Sequence, residues 1–184
     1  ESRCIWIRAP HNAFTDLVHF KGKFYCVFRE GAAHVSPDGK IRILVSEDGD
    51  TWKSVALLTK TGYDLRDAKI TVAPDGRLMA LGGAAPRKAR ESVATGTFVA
   101  FSKDGLIWSP PQLVGDPNRW MFRVTWHRGA GYAVDYAFPS KTTLLTTLDG
   151  VTYRTVLDPM CDLGVPNEAT LRFAPDNTAY CLQR

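Results

Sequence analysis

Apolar residues fall into short runs along this chain. Phe24 to Phe28, Lys40 to Val45, Ile70 to Val72, Arg77 to Leu81, Thr97 to Phe101, Gly131 to Tyr136 and Thr143 to Thr147 are rich in β-branched, aromatic and aliphatic residues, and Gly, Pro or Asp separates them. Runs this short, bounded by turn formers, predict strands. No stretch of about eleven positions or more carries the apolar period of a helix, so the chain reads as all-β.

The punctuation repeats. Ser46 to Trp52 reads S-E-D-G-D-T-W, Ser102 to Trp108 reads S-K-D-G-L-I-W, and Thr147 to Tyr153 reads T-L-D-G-V-T-Y. Each copy has a hydroxyl residue, an Asp two places on, a Gly directly after it and an aromatic three places later. The carboxylate can accept from nearby backbone N–H groups, Gly can take the left-handed conformation, and the aromatic anchors the turn at the start of the next strand. Copies 56 and 45 residues apart mean a repeat architecture.

Ahead of each copy lies an apolar strand, a short turn and a second strand. Those turns are Lys21-Gly22-Lys23, Pro74-Asp75-Gly76, Arg128-Gly129 and, in a fourth copy, Pro175-Asp176-Asn177. The first and fourth copies agree closely, Tyr25-Cys26-Val27-Phe28-Arg29 against Tyr180-Cys181-Leu182-Gln183-Arg184. Four-stranded antiparallel units of this size suit a β-propeller, in which radial repetition limits exposed edges. The expected blades run over 12–60, 64–115, 119–160 and, incomplete, 167–184, within one partial domain 1–184. The chain starts at Glu1 without a Met and stops at Arg184 inside a strand pattern. It is therefore read as a piece of a longer propeller, whose remaining blades, about two or three, are expected partners.

Composition narrows the functional classes. With 184 residues, 45% hydrophobic, a substantial core is available. The net charge of +4 is mild and its Lys and Arg are scattered, which excludes a nucleic-acid stripe. No run of about eighteen apolar residues is present, so no membrane span is expected. The four cysteines lack C-x-x-C spacing, which argues against zinc, and Cys26 and Cys181 fall in apolar strand patterns as expected buried thiols. There is no P-loop, dinucleotide glycine pattern or G-x-S-x-G, so no cofactor is expected. No targeting segment is legible; a secreted or periplasmic setting is the working expectation.

The three D-G turns resemble the Asp-box (BNR) repeat of the sialidase superfamily, in a form one residue shorter than the usual S-x-D-x-G-x-T-W. The resemblance covers nearly the whole chain and implies a propeller that is mostly six-bladed in that superfamily. It also implies that the turns join third to fourth strands on the face away from ligand, so Asp48, Asp104 and Asp149 are expected to be structural.

In such a blade, functional residues belong at starts of first strands and ends of second strands. The starts hold Asp16, Arg66 and Asp67, Arg123, and Glu168; the ends hold Arg29 and Glu30, Asp135 and Tyr136, and Arg184. Ionisable residues at every start exceed what an apolar wall needs. Crowded carboxylates push each other's pKa apart, which supplies an acid and a base, and guanidinium groups bind a carboxylate through two parallel bonds. Glycoside hydrolysis uses that acid and base pairing.

The resemblance assigns roles. Glu168 and Arg184, sixteen residues apart across one hairpin, match the sialidase base that activates a nucleophilic Tyr and one arginine of the carboxylate-binding triad. Asp67, ahead of Asp16, is expected as the acid. Arg29, Arg66, Arg123 and Tyr136 are candidate substrate contacts. Asp16, Arg29, Arg66 and Asp67 are also suited to ion pairs between blades. His11 and His34, near Asp16 and Arg29, are further candidates to touch ligand, and Trp120, after a Pro-Asn loop on the same face, is a candidate to stack on a sugar. The usual (F/Y)-R-I-P motif is absent, and F-T-D stands in its place.

The expected function is an exo-acting glycoside hydrolase of the sialidase type, cleaving a terminal sialic acid or related acidic sugar from a glycan, with this piece inactive alone. The alternatives are a sialidase-fold hydrolase for another sugar such as arabinose, or a non-catalytic propeller that binds glycans or proteins.

Overall fold

The structure, a computed structural model, describes residues 2–87, 95–137 and 141–184. The first sheet contains β1 (His11–Phe20), β2 (Lys23–Gly31), β3 (Lys40–Ser46) and β4 (Lys53–Leu58). The second contains β5 (Tyr63–Val72), β6 (Leu78–Pro86), β7 (Gly96–Ser102) and β8 (Gln112–Val114). The third contains β9 (Trp120–His127), β10 (Ala130–Ala137), β11 (Lys141–Thr147) and β12 (Tyr153–Cys161). A two-stranded sheet of β13 (Ala169–Phe173) and β14 (Ala179–Gln183) follows. Every sheet is an antiparallel meander in chain order, and no helix occurs among the described residues. Strands β1, β5, β9 and β13 pack beside one another in sequence, so the first strand of each sheet lines a common axis. The fold is a β-propeller, seen here as three four-stranded blades and one hairpin.

Local chemistry accounts for the hairpins. Lys21 and Gly22 have φ of 48° and 78°, and Arg128 and Gly129 have 50° and 84°. Two central residues with positive φ match the right-handed twist of the flanking strands.

The core lies between consecutive blades. Phe20, Tyr25, Val27, Ile41 and Ile43 of the first pack against Leu65, Ile70, Leu78, Ala80 and Phe98 of the second. Met79, Leu81, Val99 and Phe101 continue against Met121, Val124, Ala133 and Leu145 of the third. Central strands such as β2, β6 and β7 are thus covered on both faces, and they read as unbroken apolar runs instead of alternating ones. Cys26 is buried, but Cys181 is exposed, contrary to the sequence expectation, because β14 pairs on one side only with β13 and presents Tyr180, Cys181 and Leu182 outward. All four cysteines are free thiols.

The D-G turns join third to fourth strands and share one bonding scheme. In the first, Gly49 N donates to Ser46 Oγ at 2.9 Å, Asp50 N and Thr51 N donate to Asp48 Oδ1 at 2.8 and 2.7 Å, and Trp52 Nε1 donates to Gly49 O at 3.0 Å. The same bonds recur around Asp104 with Trp108 and around Asp149, where the Tyr153 hydroxyl replaces the indole. Amide donors hold these carboxyls below the usual range, Asp48 down to about 2.

Candidate functional site

At the opposite end of the axis, all three complete blades break register in their first strand. Phe14 and Thr15 of β1 stand opposite Phe28 alone, Asp67 and Ala68 of β5 opposite Gly82, and Phe122 and Arg123 of β9 opposite Val134. Such bulges bend a strand and re-aim its side chains. Phe14 and Asp67 take φ of 63° and 48°, which few residues other than glycine adopt. Gly82 is required opposite the second bulge, since a Cβ there would lie 2.4 Å from the Arg66 carbonyl oxygen.

The bulges bring charged groups from four sheets to one place. Asp16 Oδ1 accepts from Arg123 Nη2 at 2.8 Å, and its Oδ2 accepts from the Ile70 amide at 2.9 Å, so one carboxylate ties three blades. Asp67 has Lys69, Glu168, Arg66 and His34 as electrostatic neighbours. Burial pushes its carboxyl above the ordinary value, with Glu168 adding to the rise while Lys69 and Arg66 oppose it. Glu168 Oε1 accepts from Arg184 Nη1 at 3.2 Å, and a backbone bond from Arg184 N to Glu168 O at 2.9 Å closes the same pair. Tyr136 is buried, and its hydroxyl is pushed up by burial first and then by the charges of Glu168 and Asp67.

Other candidates are placed differently. The Arg29 side chain, a candidate substrate contact, is 0% exposed and bonded within the protein. Its Nε and Nη2 donate to Asp64 Oδ1 at 3.3 and 3.0 Å, and its remaining donors go to Ala33 O, Ser36 O and Ser36 Oγ. Arg66 Nε donates to the other oxygen of Asp64 at 2.6 Å, so Asp64 bridges a buried arginine to one nearer the axis. Glu30 turns outward to Arg42 and Trp6. Asp135 is held by Arg119 and is sealed from solvent. Trp120 stacks on Tyr136, 6.2 Å between centroids, over Gly83, where a Cβ would sit 1.7 Å from the indole. His11, Phe14 and His34 form an edge-on aromatic group at the rim, with His34 5.6 Å from His11 and 5.4 Å from Phe14.

Two residues of the site were not singled out from the sequence, Asp64 and Lys69. Both belong to D-L-R-D-A-K on β5, whose four ionisable residues form two alternating pairs, Asp64 with Arg66 and Asp67 with Lys69. The signal was present, but the bulge that brings Asp67 and Lys69 to the same region has no sequence mark. Among the described residues, no group of three His, Cys, Asp or Glu side chains is placed to hold a metal ion. Glu168 is near enough to Asp67 for its charge to add to the rise of the Asp67 carboxyl.

Four-stranded antiparallel sheets around one axis, with ionisable side chains gathered at one end, define a β-propeller with a polar axial site. No protein-family model and no curated protein matches this sequence. Solved structures do match. A protein of unknown function from Dyadobacter fermentans is similar with a TM-score of 0.77 and 20% identity, over 95% of this chain and 62% of its own. The α-L-arabinofuranosidase Arb93A of Fusarium graminearum is similar with a TM-score of 0.68 and 19% identity, over 94% of this chain and 56% of its own. The α-L-arabinanase of Penicillium chrysogenum gives 0.67 and 17%, over 94% and 57%. The fold is therefore the β-propeller found in glycoside hydrolases, and the chain spans less than two-thirds of the length of each of these structures.

Proposed function

We propose that this chain belongs to a propeller glycoside hydrolase acting on a neutral sugar such as arabinose, with Asp67 as general acid and Glu168 as the carboxylate that assists attack at the anomeric carbon. The observation that carries this reading is the delivery of Asp16, Asp67 and Glu168 from β1, β5 and the residue preceding β13 to one end of the axis, with Asp67 pushed toward its protonated form by burial. Cleaving a glycosidic bond needs one carboxyl that can hand a proton to the leaving oxygen and another that stays available on the anomeric side. Asp67 is suited to the first task by desolvation. Glu168, half-exposed and oriented by Arg184, is suited to the second. Asp16, tied to Arg123 and the Ile70 amide, orients the group.

A neutral substrate is favoured over an acidic one by the state of the arginines. Arg29 and Arg66 are both bound to Asp64, and Arg123 is bound to Asp16. Each pairing offsets positive charge that a substrate carboxylate would otherwise meet, although Arg66 and Arg123 each spend only one of five N–H donors on it. Structural similarity to an arabinofuranosidase and an arabinanase supports the same direction. An exo-sialidase is the second reading. It is supported by Glu168 and Arg184, hydrogen-bonded across one hairpin, and it places the nucleophilic Tyr and a further Arg in a longer chain. On either reading the remaining blades complete the site, and residues 1–184 alone are inactive.

The test is hydrolysis of aryl arabinosides, xylosides and sialosides by the full-length protein. Glu168→Gln and Asp67→Asn are each expected to lower kcat by about 10²- to 10⁴-fold while the variants remain folded. Cleavage of sialosides alone moves the second reading ahead. Ligand binding without turnover, with affinity unchanged in Glu168→Gln, replaces both with a binding propeller.

A further inference from the structure

Lys69 is the axial residue left without a task. It directly follows the β5 bulge, is 7% exposed, and holds its Nζ 4.6 Å from the centroid of the Phe122 ring on β9. Asp16, Asp67 and Glu168 attract it and Arg123 repels it. Asp16 is already bound to Arg123 and the Ile70 amide, and Glu168 to Arg184. Among the described residues, no hydrogen bond or ion pair engages the Lys69 ammonium, which lies over the Phe122 ring. The sealed, unpaired side-chain polar atoms there are His11 Nδ1, Asn12 Oδ1, Trp120 Nε1 and Trp126 Nε1. The ammonium is absent from that set, so the exposure Lys69 keeps includes its charged tip.

A largely buried ammonium whose donors meet no protein acceptor among the described residues is costly unless solvent or a ligand supplies one. Burial accordingly lowers its pKa, with Asp16 pulling the other way. Carboxylates on several sides balance its charge, so what Lys69 lacks is acceptors and not a counter-ion. A sugar hydroxyl supplies acceptors without charge.

We propose that Lys69 contacts the substrate, donating hydrogen bonds to one hydroxyl of the sugar seated beside Asp67 and Glu168, and so selects glycosides that carry that hydroxyl. This rests on the glycoside hydrolase reading. A site built to bond a hydroxyl rejects the analogue that lacks it, because the buried donor is left unmatched. The ring of Phe122 steadies the cation from the opposite side while the donors point to ligand.

The experiment is a cycle on the full-length protein, using a glycoside that the wild type cleaves and its monodeoxy analogues, with Lys69→Met and Lys69→Arg. Lys69→Met is expected to lower kcat/KM on the parent glycoside by about 10- to 100-fold, as for a lost hydrogen bond to a charged group. One monodeoxy analogue loses a similar factor with the wild type, and Lys69→Met cleaves that analogue as fast as the wild type does, so the two losses do not add. Lys69→Arg keeps the charge and the donors; it recovers part of the rate on the parent only, and it carries the cycle if the Met variant does not fold. Losses that add for every analogue overturn the role of Lys69 alone. A wild type that neither cleaves nor binds any glycoside overturns the enzyme reading and this one with it.

Discussion

The two ends of the propeller treat the same residue types differently. At the end with the D-G turns, Asp48, Asp104 and Asp149 make the same bonds in three blades, each carboxylate satisfied by amides two and three residues on. At the axial end the register breaks at the same place in three blades, but the residues there differ: Phe14 and Thr15, Asp67 and Ala68, Phe122 and Arg123. Uniform aspartates close turns, whereas dissimilar side chains on a uniform backbone irregularity make up the candidate site. Repetition marks the scaffold, and departure from the repeat marks the candidate chemistry.

The most severe way to disturb the axial end without touching substrate is Asp64→Ala. It leaves Arg29 buried and unpaired and frees Arg66, and removing one partner of a buried pair costs about 3–5 kcal/mol. Urea unfolding should show a loss of that size; a loss under about 1 kcal/mol would mean that the pair is replaceable by solvent.

At the turn end, the three copies can be made to differ. Gly49 and Gly105 have φ of 78° and 79°, so Ala at either position should cost about 1–2 kcal/mol through backbone strain. At Gly49 the nearest atom to a new Cβ is 4.0 Å away, whereas at Gly105 a Cβ would lie 2.3 Å from the Tyr25 ring. Gly105→Ala should therefore cost a further ~1–3 kcal/mol from overpacking. Equal losses in thermal melts would show that Tyr25 moves aside freely.

The smallest effect expected is in pH dependence, and its sign separates the two ends. The turn aspartates have lowered folded pKa values, so their stabilisation is present above the ordinary carboxyl pKa and lost as pH falls toward about 2, the value for Asp48. Asp67 is raised, so its contribution is most favourable below the ordinary carboxyl pKa and is lost as pH rises through its folded value. Melting temperatures between pH 2 and 7 should show a shallower acid-side slope in Asp48→Asn. In Asp67→Asn, stability relative to wild type should increase as pH rises. A parallel shift of both variants at all pH values would contradict the assignment of these charges.

Strands, turns and the four-stranded repeat could be read from the chain because they are local. A glycine at positive φ, an Asp that reaches amides two and three residues on, and an apolar run between turn formers each act within a few positions. That Glu168 and Arg184 face each other across one hairpin was legible for the same reason, since the pairing is local. Arg29 was not: its position at a strand end suits a ligand contact, and Asp64, thirty-five residues later, decides that it is buried and bonded to a neighbouring blade.

By itself the sequence determined an all-β chain of repeated blades, and it marked one end as structural and the other as charged. Tertiary structure alone decided which charges are already bound to one another: Asp16 by Arg123 across 107 residues, Arg29 and Arg66 by Asp64, and Lys69 beside carboxylates with none in bonding reach. Hydrogen bonding and desolvation act over a few ångströms of space, and blades far apart in sequence meet at that distance only once they pack around the axis.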